Sequence, residues 1–192
     1  MLRKAEPEGK EFFRSSDFNS RFINTAVGPD GCLYVTDMYR GIIQDAPWFN
    51  EGNREFARRT GVNKHIQMGR IWRIRHKDHL PHSEKPQMLT ESTEKLVRHL
   101  QNPIGWWRDT AQKLILLRKD REVVIPLLEG LFRFTQSPLP RMHALWTLDG
   151  MNALTTEIKG EALSARSPEL GRAMVQMIEP HLPQEMDLLL SL

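Results

Sequence analysis

Thr36-Asp37-Met38-Tyr39-Arg40 sets a carboxylate, a phenol and a guanidinium within five residues, directly after an apolar run with strand character. A guanidinium is a planar fork of donors that matches the oxygens of a carboxylate or phosphate. At the exit of a strand, Arg40 can therefore pair an anionic cofactor or substrate oxygen. Asp37, Tyr39 and Arg40 are the candidate cofactor-binding residues of the chain. The competing reading is an Asp–Arg pair that only orders the loop, and such structural pairs are common.

Other constellations carry less chemistry. His76, His79 and His82 have i, i+3, i+6 spacing, which on one helix would gather three imidazoles. Pro81 interrupts that helix and no carboxylate completes a familiar triad, so the segment reads as a solvated linker and no metal ligand is assigned. Cys32 is the sole cysteine, which excludes an internal disulfide and a cysteine-based zinc site. Its place inside an apolar strand favours a buried, inert thiol. Trp106-Trp107 can stack a ligand, but large aromatics more often serve helix packing. His143 reads as packing or surface, and no Gly-rich phosphate loop is present. Ser164 and Ser167 have no nucleophile context, and no catalytic residue is assigned. Residues 57–77 are enriched in Arg and Lys without any nucleic-acid-binding motif, so a solvated loop and strand edge is the preferred reading.

These residues need elements to hold them. Gly28-Pro29-Asp30-Gly31 is a strong turn signal, because Pro presets φ and Asp-Gly tolerates positive φ. Phe22–Val27 before it and Cys32–Thr36 after it form a predicted hairpin. Gly69–Arg75 is a third strand, with Ile71, Arg73 and Arg75 on one face and Trp72 and Ile74 on the other. The 27 residues Ile42–Met68 between them are too many for an ordinary loop and imply a helix or a binding surface. Three strands make a marginal sheet with exposed edges, which implies a larger β domain.

From Glu94 onward the apolar spacing is helical. Predicted helices carry the stripes Leu96, Val97, Leu100; then Ala111, Leu114, Ile115, Arg118 within 107–119; then Val123, Val124, Leu127, Leu128, Leu131. Pro126 inside the third predicts a kink or a late start. Further helices span 140–148, ended by Gly150, and 156–165. Another starts at Ser167-Pro168, a good N-cap and first-turn pair, and a last one covers 187–192. Arg108, Ala111 and Ile115 repeat as Arg141, Ala144 and Leu148 after 33 residues. Leu170, Ala173 and Met177 repeat the Ala and apolar places 29 residues later, with Leu in place of Arg. Paired helices at this period signal an α-solenoid of the HEAT kind, for which three units are about the minimum.

The chain has 192 residues, 40% hydrophobic and 27% charged, with a formal net charge of +3. That composition suits a globular protein of one large or two small domains. No run approaches the roughly 18 apolar residues of a membrane span, and the opening MLRKAEPEGKEFF has no apolar core of a secretory signal.

NTAVGPDGCLYVTDMYRGIIQ, MGRIWRI, NPIGWWRDTAQKLIL and RMHALWTLDGM, in this order, resemble the C-terminal half of the bacterial membrane-bound dehydrogenase domain proteins, also called PVC-type haem-binding proteins. The resemblance covers about residues 18–180. It implies a β-propeller of the glucose/sorbosone dehydrogenase type followed by HEAT repeats, and in many members a c-type cytochrome module. On this resemblance residues 1–76 are the terminal portion of a propeller, 77–92 a linker and 93–192 HEAT-like repeats. The fold class is α+β: a partial propeller end of a few antiparallel strands, then an all-α solenoid. Asp37, Tyr39 and Arg40 would then lie at the mouth of the propeller channel. Members oxidise a sugar or alcohol outside the cytoplasm, linked to a quinone or cytochrome. Pyrroloquinoline quinone or haem c belongs to the full-length architecture. This chain has no CxxCH, which excludes covalent haem c, and it lacks the earlier blades that supply the substrate base and most quinone contacts. No cofactor is therefore assigned to it. The alternative is a non-catalytic HEAT-repeat module that binds a partner protein. Either way the expected partner is protein, with no nucleic acid and no transmembrane segment.

Overall fold

The computed structural model describes residues 11–43, 46–118 and 120–181. They fall into two compact units. A front unit runs to Pro81 without Pro29–Gly31, and a helical unit comprises Pro29–Gly31 and the chain from His82.

The front unit holds three strands, β1 (Phe22–Val27), β2 (Leu33–Asp37) and β3 (Arg70–Ile74), in the order β1-β2-β3. Both pairings are antiparallel. In β1 the register shifts between Phe22 and Asn24. The predicted hairpin forms because Gly31 takes φ 77°, a conformation glycine adopts without strain. Opposed residues share a face, so Asp37 stands opposite Arg70, Val35 opposite Trp72 and Leu33 opposite Ile74. That face is the inner one: Val35 and Asp37 are buried. On the other face Ile71 is 67% exposed, and Ile23, at the register shift of β1, is 59% exposed.

The 27-residue excursion carries helix α1 (Glu51–Thr60) between two short 3-10 turns, Ala46–Trp48 and Val62–Lys64. Asn50 starts α1 by accepting the Asn53 N–H at 2.8 Å, which satisfies one orphan donor of the first turn. Gly61 ends it with φ 70°, its N–H bonded to the Ala57 carbonyl at 2.8 Å.

The helical unit contains α2 (Thr93–His99), α3 (Gly105–Arg118), α4 (Arg121–Phe134), α5 (Pro138–Gly150), α6 (Thr156–Leu163) and α7 (Pro168–Ile178). α2 packs on α3, α4 on α5 and α6 on α7; α3, α5 and α7 then stack in turn, as in a helical solenoid. The stack rests on the repeat detected in the sequence. Ala111, Ala144 and Ala173 are buried with Ile115, Leu148 and Met177 beside them, and the small Ala lets successive helices approach. The repeated arginines bond backbone carbonyls. Arg108 donates to those of Asn102 (2.6 Å) and Pro103 (2.9 Å) in the loop between α2 and α3, and Arg141 to that of Phe132 (2.9 Å) in the last turn of α4. Carbonyls at a helix C-terminus lack intrahelical partners, and the Arg141 cation suits that end of the dipole. In the third unit Leu170 is buried instead.

Several details differ from expectation. α4 begins at Arg121, before Pro126, and runs through it. Val124, Leu128, Leu131 and Phe132 are buried on one side of α4, and this packing outweighs the hydrogen bond that Pro126 cannot donate. Val123 and Leu127, counted in the stripe, are 37% and 36% exposed. α5 starts two residues before the expected 140 and ends at Gly150, as expected. A Cβ there would stand 3.1 Å from Leu116 Cδ2, so the glycine admits α3's leucine. The left-handed residue after α5 is Asn152, with φ 52°. Lys119 and the predicted helix 187–192 lie outside the described residues. No helix among the described residues is long and apolar enough to cross a membrane.

Candidate functional site

Asp37 closes β2 with its carboxylate buried, and four donors converge on it. The Arg21 and Tyr39 backbone N–H groups donate to Oδ1 at 2.7 and 2.9 Å. Arg70 Nε and the Trp72 indole N–H donate to Oδ2 at 3.0 and 3.1 Å. Burial pushes the carboxyl upward, since it penalises the charged form. The bonds from Arg21, Trp72, Tyr39 and Arg70 outweigh it and hold the pKa at about 2. A carboxylate so saturated neither accepts a proton near neutrality nor has a lone pair left for a ligand.

The strand register builds this node. Asp37 and Arg70 are opposed across the β2–β3 ladder, and Trp72 is the next residue of β3 on the same face. The Arg70 guanidinium lies 4.0 Å from the Tyr39 ring centroid and 4.6 Å from that of Trp72, so it is held between two aromatic faces. Its second nitrogen reaches Ser20 Oγ at 3.1 Å and Asp17 Oδ2 at 3.5 Å. The Asp17 pKa is lowered, first by the Asn19 backbone N–H, with the Tyr39 hydroxyl and Arg70 adding to it against some desolvation. Tyr39 takes φ 48°, an uncommon conformation for a non-glycine residue, which its N–H bond to Asp37 stabilises.

Of the three sequence-derived candidates, the structure joins Asp37 and Tyr39 in this node and leaves Arg40 out. The arginine paired with Asp37 is Arg70, 33 residues away, which sequence spacing could not reveal; alternation in β3 was the available signal. Arg40 is exposed, and its Nε donates to the Ile42 carbonyl at 3.1 Å. It lines a cleft of about 590 Å³ with Ile42, Phe49, Arg54, Ala57, Arg58 and Asn63. Sequence reasoning missed this cleft because its walls come from α1 and the loop before it. The signal was present as Arg54, Ala57 and Arg58, which share one helical face at i, i+3, i+4.

Elsewhere, His76 Nδ1 lies 3.7 Å from Asp78, and His82 Nε2 lies 3.9 Å from Glu84. No group of three or more His, Cys, Asp or Glu that could hold a metal occurs among the described residues. Cys32 is buried. Trp107 is buried in the helical unit, stacked on His99 at 5.0 Å, with its indole N–H on the Pro29 carbonyl at 2.8 Å. Trp72 bonds Asp37 and meets Phe13 edge-on at 6.4 Å, so its described contacts lie in the front unit. His143 links α5 to α3: Arg108 Nε donates to its Nε2 at 3.2 Å, and its Nδ1 lies 2.8 Å from Gln112 Oε1. With Nε2 accepting, the ring is neutral and its proton sits on Nδ1.

A family model described as a domain of unknown function, DUF7133, matches residues 2–78. No curated protein and no solved structure matches the chain. The matched span contains the Asp37 node and the arginine cleft, and it stops short of the helical repeats.

Proposed function

We propose that this chain is part of an extracytoplasmic propeller dehydrogenase that oxidises a sugar or alcohol, linked to a quinone or cytochrome. In this reading the front unit supplies terminal strands of the propeller, the helices form a docking surface, and the redox centre lies in other segments of the enzyme. The observation that carries it is a face of the three-stranded sheet left open among the described residues. Ile71 projects there exposed, Ile23 at the register shift of β1 is exposed as well, and apolar residues on an open sheet call for a second layer. The four resemblance motifs and the span of the DUF7133 match are compatible with this reading. Asp37, with every lone pair used, serves as the structural node of its strands rather than as a base.

The test is a dye-linked dehydrogenase assay with a panel of sugars and alcohols and added pyrroloquinoline quinone. It is run on this chain and on the protein that continues upstream in the same reading frame. Turnover by the longer protein and none by the chain is the expected result. Turnover by the chain alone refutes the placement of the redox centre. An upstream frame without propeller strands refutes the propeller.

A second reading, a non-catalytic repeat module that binds a partner protein, is favoured by Leu117 and Phe134, which stand 76% and 83% exposed on α3 and α4.

A further inference from the structure

We infer that the cleft between α1 and the segment after β2 binds a small organic oxyanion, a carboxylate or phosphate monoester with an apolar body. The inference stands independently of the dehydrogenase reading. Arg40, Arg54 and Arg58 line the cleft, and no acidic residue does among the described residues. Arg58 is held by Glu51 at 3.2 Å and Glu55 at 3.1 Å, which fixes its guanidinium at the rim. Among the described residues Arg40 is committed only through Nε, to the Ile42 carbonyl, and its terminal nitrogens have no partner there. The Arg54 side chain has no hydrogen-bond or ion-pair partner among the described residues. Arg54 and Arg58 stand one turn apart on the same face of α1. An anion between Arg54 and Arg40 takes charge-assisted hydrogen bonds.

The remaining wall selects the body of the ligand. Ile42, Phe49 and Ala57 supply apolar surface, and Asn63 adds an amide. Ile42 and Phe49 also line an adjoining cavity of about 300 Å³ with Phe18 and Phe56, so apolar lining continues past the arginines. A volume of about 590 Å³ suits a small molecule, since ligand pockets run from roughly 300 to 1,000 Å³. The cleft has a built frame. Gly41 follows Arg40 where a Cβ would stand 2.7 Å from both Asn19 Oδ1 and Val62 Cβ, so the chain passes tightly against the turn that presents Asn63.

Isothermal titration of the whole chain with phenyl phosphate, inorganic phosphate and benzyl alcohol tests the inference. Saturable 1:1 binding of phenyl phosphate is expected, at least about tenfold tighter than inorganic phosphate, with none of benzyl alcohol. R40Q and R54Q are each expected to weaken it about tenfold, the value of one charge-assisted contact. R59Q is the control, because Arg59 is exposed on α1 but does not line the cleft. No saturable binding overturns the inference. So does an equal loss in R59Q, which would mean general charge attraction. Equal affinity for inorganic and phenyl phosphate removes the apolar part and overturns the stated ligand class. These side chains are exposed, and unchanged circular dichroism of the variants separates lost binding from lost folding.

Discussion

Asp37→Asn keeps the shape of the side chain, removes its charge and turns one acceptor oxygen into a donor. If the remaining oxygen keeps the Arg21 and Tyr39 N–H groups, the new amide N–H₂ faces Arg70 Nε–H and the Trp72 indole N–H, donor against donor. Removing one partner of a buried ion pair costs about 3–5 kcal/mol. The Arg70 side chain is 36% exposed and can turn to water, which points to the lower end, about 3 kcal/mol. The assay is native-state hydrogen exchange at the Arg21 and Tyr39 amides, whose protection depends on the carboxylate they donate to. A loss of about 3 kcal/mol raises their exchange through opening by about 150-fold. A pH arm checks the charge itself. The folded pKa is about 2 against a reference of 3.8. A depressed carboxyl contributes stability that is fully present above the unfolded value and is lost as pH falls through the folded one. Wild type should therefore lose about 2 kcal/mol of protection at these amides from about pH 5 to about pH 2, and the part due to Asp37 should vanish in Asp37→Asn. Exchange within about threefold of wild type in the variant would refute the claim that the carboxylate holds the node.

Three further outcomes follow from the helical unit. Ala144→Leu forces extra methylenes between stacked helices where Ala144 is fully buried; a loss of about 1–3 kcal/mol in urea unfolding is expected. His143 has a lowered pKa because of burial first and the Arg108 charge second, with Asp109 opposing. Its contribution is therefore full above about pH 6.5, the unfolded value, and declines as pH drops below it. The urea midpoint of wild type should fall over that window, and His143→Gln should flatten the fall. Arg133 bridges Glu129 at 3.6 Å, Glu157 at 3.2 Å and Glu161 at 3.0 Å, on α4 and α6. Arg133→Gln should lower the thermal midpoint at low salt, and the difference should shrink in about 1 M NaCl, where the screening length is about 3 Å.

The sequence was most legible where a local rule sufficed. The turn at Gly28–Gly31 and its hairpin, the cap at Ser167, and the Ala111/Ala144/Ala173 repeat all follow from positive φ, an orphan N–H or a 3.6-residue period. It was least legible where partners meet across the fold. Arg40 sits three residues from Asp37, and proximity in the chain suggested the pair; the β-ladder instead sets Arg70 opposite Asp37. Of the two outcomes expected at Pro126, the late start does not occur, because burial of Val124 and Leu128 carries α4 past the proline. Gly150 ends α5 as expected and also makes room for Leu116. Arg54 drew no notice because an exposed arginine on a short helix means little until Arg40 faces the same cleft.

Cys32 is the chain's one thiol and is 1% exposed. The molecule thus carries its own opening counter. A thiol reagent in excess reacts no faster than the sheet beside the hairpin turn uncovers that sulfur, and each molecule gives a single mark. The strand end can therefore be timed in the unmodified protein, with or without an anion in the arginine cleft, without adding a label that would disturb either.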